Sequence, residues 1–211
     1  MREALLPLFP LQVVLFPRTP LPLHIFEDRY KEMVGELLGT EDSFGVVLAQ
    51  GQGILRIGCS ATIDRVTQKY DDGRLDILTF GGDRFEIREV NTERSFLRGR
   101  VSYFDDDDFA ACSDDAVRRA ISANADYRRL TESDDEPEME DPQLSFQLAR
   151  VSPDLGFRQT LLAMRSEAQR MARVADHLEL LIERQKLQEQ TRKVARTNGH
   201  TRHKFHLDEQ S

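Results

Sequence analysis

LPLFPLQVVLFPRTPLPLHIFEDRY, residues 6–30, is apolar almost throughout, and the prolines at 7, 10, 17, 20 and 22 decide how it can fold. Each proline lacks a backbone N–H and fixes φ near the extended region, so the run cannot be the continuous helix of a signal peptide or membrane span. It reads instead as strands and turns. Leu11–Phe16, an apolar run between prolines, is predicted to be a buried strand. The prolines are expected to border strands and set turns; a PxxP ligand for another protein is the alternative. At the end of the stretch the period changes. Phe26, Tyr30, Met33, Val34 and Leu37 recur at helical spacing, which predicts an apolar helix face ending near Gly39.

Further along, Phe44–Ala49 is a second buried strand, and strand-type alternation begins at Ala61. Tyr70-Asp71-Asp72-Gly73-Arg74 carries the Asp-Gly pair of a tight hairpin, and a second turn is expected at Gly81-Gly82-Asp83. Phe85 and Ile87 then alternate with charged residues, and Leu97, Val101 and Tyr103 mark a last strand. So many short strands are most economically closed into a small barrel, which leaves no exposed edge.

Asp105–Asp108 changes the composition abruptly and is expected to be a solvated connector, since adjacent like charges repel. The spacing of those acids is not that of a calcium-binding loop. Ser113 reads as an N-cap, with Asp114 and Asp115 in the first turn of a helix reaching about Leu130. Thr131–Pro142 is acidic, contains two prolines, and is expected to be a mobile loop. Leu144, Leu148 and Val151 form a short stripe, Ser152-Pro153-Asp154 a helix start, and Met171, Val174, Leu178 and Leu181 the face of a long helix. That face packs within its own subdomain or, alternatively, pairs with a second copy in a homodimer. The organisation is α+β: a β-barrel subdomain over 1–104 with one helix, an acidic connector at 105–112, a helical subdomain over 113–190 with its loop at 131–142, and a flexible tail at 191–211.

Composition narrows the function. The 211 residues are 39% hydrophobic, enough for a substantial core. Net charge is −8, with 14 of the 37 acidic residues between 105 and 142. Such a chain lacks the clustered Lys and Arg that give affinity for phosphates, so nucleic acid is an unfavoured partner. Cys59 and Cys112 have no CxxC spacing, which predicts reduced thiols in a cytoplasmic protein with no membrane association.

Several stretches resemble, in order, the N-terminal substrate-recognition domain of Lon-type proteases. They are Leu6–Leu11, Val14–Pro17, Leu21–Tyr30, Phe44–Val47, Ile57–Ile63, Gly81 with Arg84–Ile87, and His177–Arg184. The resemblance covers roughly residues 5–190. It implies a PUA-like β-barrel followed by an α-helical subdomain, and a role in recognising unfolded or extended polypeptide, with a protease or chaperone as a further partner. The sequence stops where an ATPase module would begin. It holds neither a GxxxxGK[ST] phosphate loop nor a protease domain with a serine–lysine dyad, so neither unfoldase nor protease activity is expected.

His24, Phe26, Arg29 and Arg84 are the candidate polypeptide-binding residues. Each has a structural alternative. A lone histidine among apolar residues is often a hydrogen-bonded core group, and Glu27, Arg29 and Arg84 can pair to fasten the helix onto the barrel. No GxSxG elbow or cysteine with a histidine context is present, which predicts no enzymatic activity. No cofactor or metal is expected; His200, His203 and His206 have regular spacing but lie in the tail, where any metal affinity would be adventitious. The resulting expectation is a non-catalytic binding or adaptor protein that holds polypeptide in an apolar cleft between barrel and helices. A PUA-like RNA-binding module is the alternative.

Overall fold

The computed structural model describes residues 2–198, and side chains as far as Arg192. Six strands come first: β1 Glu3–Leu11, β2 Pro20–Ile25, β3 Phe44–Gln50, β4 Gly53–Lys69, β5 Leu75–Asn91 and β6 Arg98–Phe104, with helix α1, Asp28–Leu37, between β2 and β3. Helices α2 Asp114–Thr131, α3 Leu144–Ala149, α4 Leu155–Ala163 and α5 Glu167–Asn198 follow. The sheet order is β2-β5-β4-β3-β1-β6, and β6 pairs again with β5, so five strands close into a barrel to which β2 is added. Among the six strands described, only β1 and β3 run parallel. The α+β class is as expected.

Strand alternation explains how prolines enter the sheet. The N–H of Leu8 donates to Leu97 O and the carbonyl of Arg2 accepts from Tyr103, so even-numbered residues of β1 face β6. Pro10 therefore aims its nitrogen beyond the end of β6, and Pro7 aims its own at the other side, just before the ladder with β3 begins at Leu8–Gly45. Neither deletes a ladder bond. The predicted strand at Leu11–Phe16 is corrected: β1 ends at Leu11, and residues 12–19 form a buried loop that packs Phe16 on Phe146 at 4.8 Å. The expected turn at Gly81-Gly82-Asp83 is also absent, because β5 runs straight through it. Those glycines serve close approach. A Cβ on Gly81 would lie 2.0 Å from Phe16 O, and one on Gly82 2.7 Å from Ser60 Oγ.

Leu6, Leu8, Val47, Phe85, Ile87 and Val101 fill the barrel. A second, larger core joins its outside to the helices, from Phe9, Phe16 and Met33 to Phe146, Val174 and Leu178. The apolar face of α5 is thus buried within the chain, largely against α2. The Ser113 hydroxyl accepts from Ala116 N–H and caps α2, as its position in the sequence predicts.

The two acidic segments differ from expectation. Asp106 is not solvated; its side chain is only 12% exposed and lies between two buried arginines. The 131–142 loop is fastened rather than free: Asp141 accepts from Arg18 and Gln147, Asp135 pairs with Arg150, and Glu136 with Arg128. In both cases an arginine remote in sequence supplies the countercharge, which local composition does not reveal. No helix among the described residues is long and apolar enough to cross a membrane. Helix α5 continues past Leu187 to Asn198; His200, His203 and His206 lie outside the described residues.

Candidate functional site

The four candidate residues divide between two places. His24 and Phe26 sit together at the end of β2. Pro20 and Pro22 have no N–H, so the ladder to β5 runs through Leu21, Leu23 and Ile25, and the prolines' nitrogens face the free edge of the sheet. On the outward face the cross-strand pairs are Pro20–Phe80, Pro22–Leu78 and His24–Asp76. That face is an apolar strip closed at one end by a polar cluster. Beside it is a shallow hollow of about 430 Å³, lined by Pro22, Leu23, His24, Thr67, Asp76 and Leu78, among others.

The cluster is orienting. Asp76 bridges His24 Nδ1 at 2.5 Å and the Tyr70 hydroxyl at 2.8 Å, and these two hydrogen bonds hold its carboxyl below the usual range. The imidazole, fixed in this way, stacks on the Phe26 ring at 5.8 Å. Phe26 was expected to lie on the buried face of the following helix. It precedes the helix instead and is 58% exposed, while Tyr30, Met33, Val34 and Leu37 fill that face. Arg29, in the first turn of α1, pairs with Glu27 at 2.7 Å and lies over the Tyr30 ring.

Arg84 is elsewhere. It stands eight residues beyond Asp76 on β5, roughly 25 Å along the strand. It is 2% exposed. Its guanidinium donates to Asp106 at 2.7 Å, to Asp105 at 3.2 Å and to the carbonyls of Leu162 and Met164. Arg170 meets the same Asp106 from the helical side, and donates also to Ser145 and Glu167. The expected pairing of Glu27 or Arg29 with Arg84 is therefore replaced by two separate pairings, and Arg84 joins the barrel to the helices. Asp106 and Arg170 carry no sequence signal that would have matched them to it.

Among the described residues the junction of barrel and helices holds no predominantly apolar cleft of the kind expected. The ion network spans the junction, and a hollow of about 350 Å³ near it is lined by Arg2, Arg18, Asp83, Arg84, Asp105 and Gln143 together with Pro17, Tyr103 and Phe104. A hydroxyl–imidazole pair does occur: Ser152 Oγ lies 2.9 Å from His177 Nε2. Ser152 is buried, its Oγ also accepts from Asp154 N–H, and His177 is stacked on Phe157 at 3.6 Å. A nucleophile needs access to substrate, and this hydroxyl instead sets the turn into α4. Among the described residues no group of three or more His, Cys, Asp or Glu is placed to hold a metal ion. Burial raises the thiol pKa of Cys59 and, less completely, that of Cys112.

Comparison with known proteins agrees with this architecture. A Lon N-terminal domain protein from Xanthomonas campestris superposes with a TM-score of 0.65 at 25% identity, covering 81% of this chain and 96% of that one. The N-terminal domain of the Mycobacterium avium complex Lon protease superposes at 0.60 with 13% identity, covering 83% and 98%, and shares the fold. Residues 5–180 match the family described as the ATP-dependent protease La (LON) substrate-binding domain. The chain belongs to that substrate-binding domain family.

Proposed function

We propose that this chain is a non-catalytic polypeptide-binding protein that holds extended or unfolded segments on the outward face of β2 and β5. The observation that carries the reading is Phe26, a large aromatic left in solvent yet held in place by an imidazole that is itself fixed by Asp76 and Tyr70. A rigid exposed ring loses little entropy when a partner covers it. Together with Pro20, Pro22, Leu78 and Phe80 it offers an apolar strip that discriminates weakly among sequences, as a receptor for unfolded chains requires. Arg29, three residues after Phe26 and half-exposed beside Glu27, is the basic group that would meet a carboxylate or backbone carbonyl of the bound segment. Arg84 has no part in this surface. The prolines leave the free edge of β2 few donors, so binding there runs through side chains.

The test is fluorescence anisotropy with a reduced, alkylated and labelled model protein as the unfolded probe. Truncating two exposed rings, Phe26→Ser with Phe80→Ser, removes about 2–3 kcal/mol of apolar contact and is expected to weaken binding at least tenfold. The folded form of the same probe should not bind. Unchanged affinity in the double variant, with its fold intact by circular dichroism, refutes the assignment.

A further inference from the structure

Among the described residues the barrel has a free stretch of edge that the outward face does not use. Even-numbered residues of β1 exchange hydrogen bonds with β6, at Ala4–Val101 and Leu6–Gly99, so odd-numbered residues point their N–H and C=O the other way. From Leu8 onward β3 fills that side. Before it, nothing does. The N–H and C=O groups of Glu3 and Leu5 project from the sheet with no strand beside them among the described residues. Buried backbone groups are almost always paired, and exposed ones on a strand edge are the template on which a further strand adds.

The space beside them is shaped for such an addition. A groove of about 530 Å³ runs along this edge; exposed Leu5 and half-buried Pro7 line it above the covered Leu37 and Phe96, with Glu36, Glu41 and Asp42 and three arginines around them. Leu5 is 51% exposed there. The groove's charges are unevenly satisfied. Arg94 is ion-paired with Glu32 and Glu36, whereas Glu41 and Asp42 have no ion pair among the described residues, and Glu3 is exposed on the strand itself. Of the basic groups in the lining, Arg2 pairs with Asp83, and Arg98, opposite Pro7 on β6, has no carboxylate among the described residues. An added strand would lie between Glu3 and Leu5 on one side and Glu41 and Asp42 on the other. It would place its backbone on the ladder, one apolar side chain against Leu5, and flanking side chains within reach of Glu3, Glu41 and Asp42.

We infer that the first half of β1 is a strand-addition site that takes an extended segment of another polypeptide in which an aliphatic residue is flanked by lysine or arginine. The two free residues offer roughly 7 Å of edge, enough for a ladder with three or four residues of the partner. The inference stands whether or not the outward face binds polypeptide, because the two surfaces share no residue and work differently. The face acts through side chains, with the β2 edge largely closed by proline, while the β1 edge acts through the backbone.

Three labelled peptides test it by anisotropy on the intact chain: an alternating lysine–valine hexapeptide, the same peptide N-methylated at alternate residues, and its glutamate–valine counterpart. The lysine peptide is expected to bind, and N-methylation, which removes ladder donors but keeps every side chain, to weaken it at least tenfold. Leu5→Pro removes a donor that no other strand uses and should do the same while leaving the β1–β6 ladder formed. Glu41→Lys with Asp42→Lys, both exposed, should reverse the preference toward the glutamate peptide. Equal binding of the N-methylated peptide overturns the proposal, as does the absence of binding by the lysine peptide at millimolar concentration. So does binding that survives Leu5→Pro but is lost in Phe26→Ser, which would put the peptide on the outward face instead.

Discussion

Asp106 is the carboxylate on which two buried arginines converge, and its replacement by alanine tests whether the barrel and the helices are joined by charge. Arg84 Nη2 is 2.7 Å from it, and both terminal nitrogens of Arg170 are 2.6 Å away. After Asp106→Ala, Arg84 keeps two carbonyls and the largely exposed Asp105, and Arg170 keeps Glu167, Ser145 and Met164 O. Arg84 is then left without a buried carboxylate, and Arg170 with Glu167 alone. Removing one partner of a buried pair costs about 3–5 kcal/mol. For a chain of this length that corresponds to a fall in Tm of roughly 6–20 °C. Asp105→Ala is the control, since Asp105 is 83% exposed and its loss should cost about 1 kcal/mol or less.

The pH dependence has a definite sign. Burial by itself raises the Asp106 carboxyl, but the hydrogen bonds from Arg170 and Arg84 outweigh it and the net shift is downward. A carboxyl with a lowered folded-state pKa stabilises fully above its unfolded value. That contribution is lost as the pH falls through the folded-state value. Urea unfolding of the unsubstituted chain and of both variants at pH 7, repeated at descending pH, should therefore show a gap for Asp106→Ala that narrows in acid. An Asp106→Ala variant within about 1 kcal/mol of the unsubstituted chain at pH 7, or an Asp105→Ala variant equally damaged, would refute the reasoning.

Two further outcomes follow from local geometry. Gly81→Ala should lose about 3 kcal/mol or more, because its Cβ would meet the Phe16 carbonyl at 2.0 Å and neither backbone can yield, whereas Gly35→Ala in α1, with nothing within 4 Å, should gain about 0.5–1 kcal/mol; thermal unfolding reads both. His177 has a lowered pKa because it is desolvated, so the unfolded chain binds its proton more readily; stability should fall as the pH drops from about 7 through 6.5 and below, and His177→Gln should flatten that slope in urea titrations.

What the sequence disclosed was the local part. The Asp-Gly hairpin appears at 70–74 with Gly73 at positive φ, Ser113 caps its helix, and the helical stripe at Tyr30, Met33, Val34 and Leu37 is buried as its spacing requires. Failures came where a distant group overrules local pattern. Leu11–Phe16 is apolar enough for a strand, but Phe16 is held in place by Phe146, Gly81 and Arg158 from elsewhere in the chain. Gly81-Gly82 carries the composition of a turn, yet the glycines admit neighbouring backbone to an unbroken strand. Among the candidate residues, His24 and Phe26 are found together, but their setting depends on β2 pairing with β5, which hydrophobic pattern alone does not specify. Arg84 was legible as a charged residue in an apolar context; its partner, in an acidic run that read as solvated, was not.

The stacking of Phe16 on Phe146 bears on how the chain is made. During synthesis the strands leave the ribosome first, but the loop carrying Val14, Leu15 and Phe16 finds its cover only when α3 and α4 arrive, about 40 to 60 residues after β6 is complete, or roughly 2–12 s later at ordinary elongation rates. Until then a newborn barrel carries a greasy seam. A nascent chain of this design is itself, for a few seconds, the kind of client that quality-control factors look for.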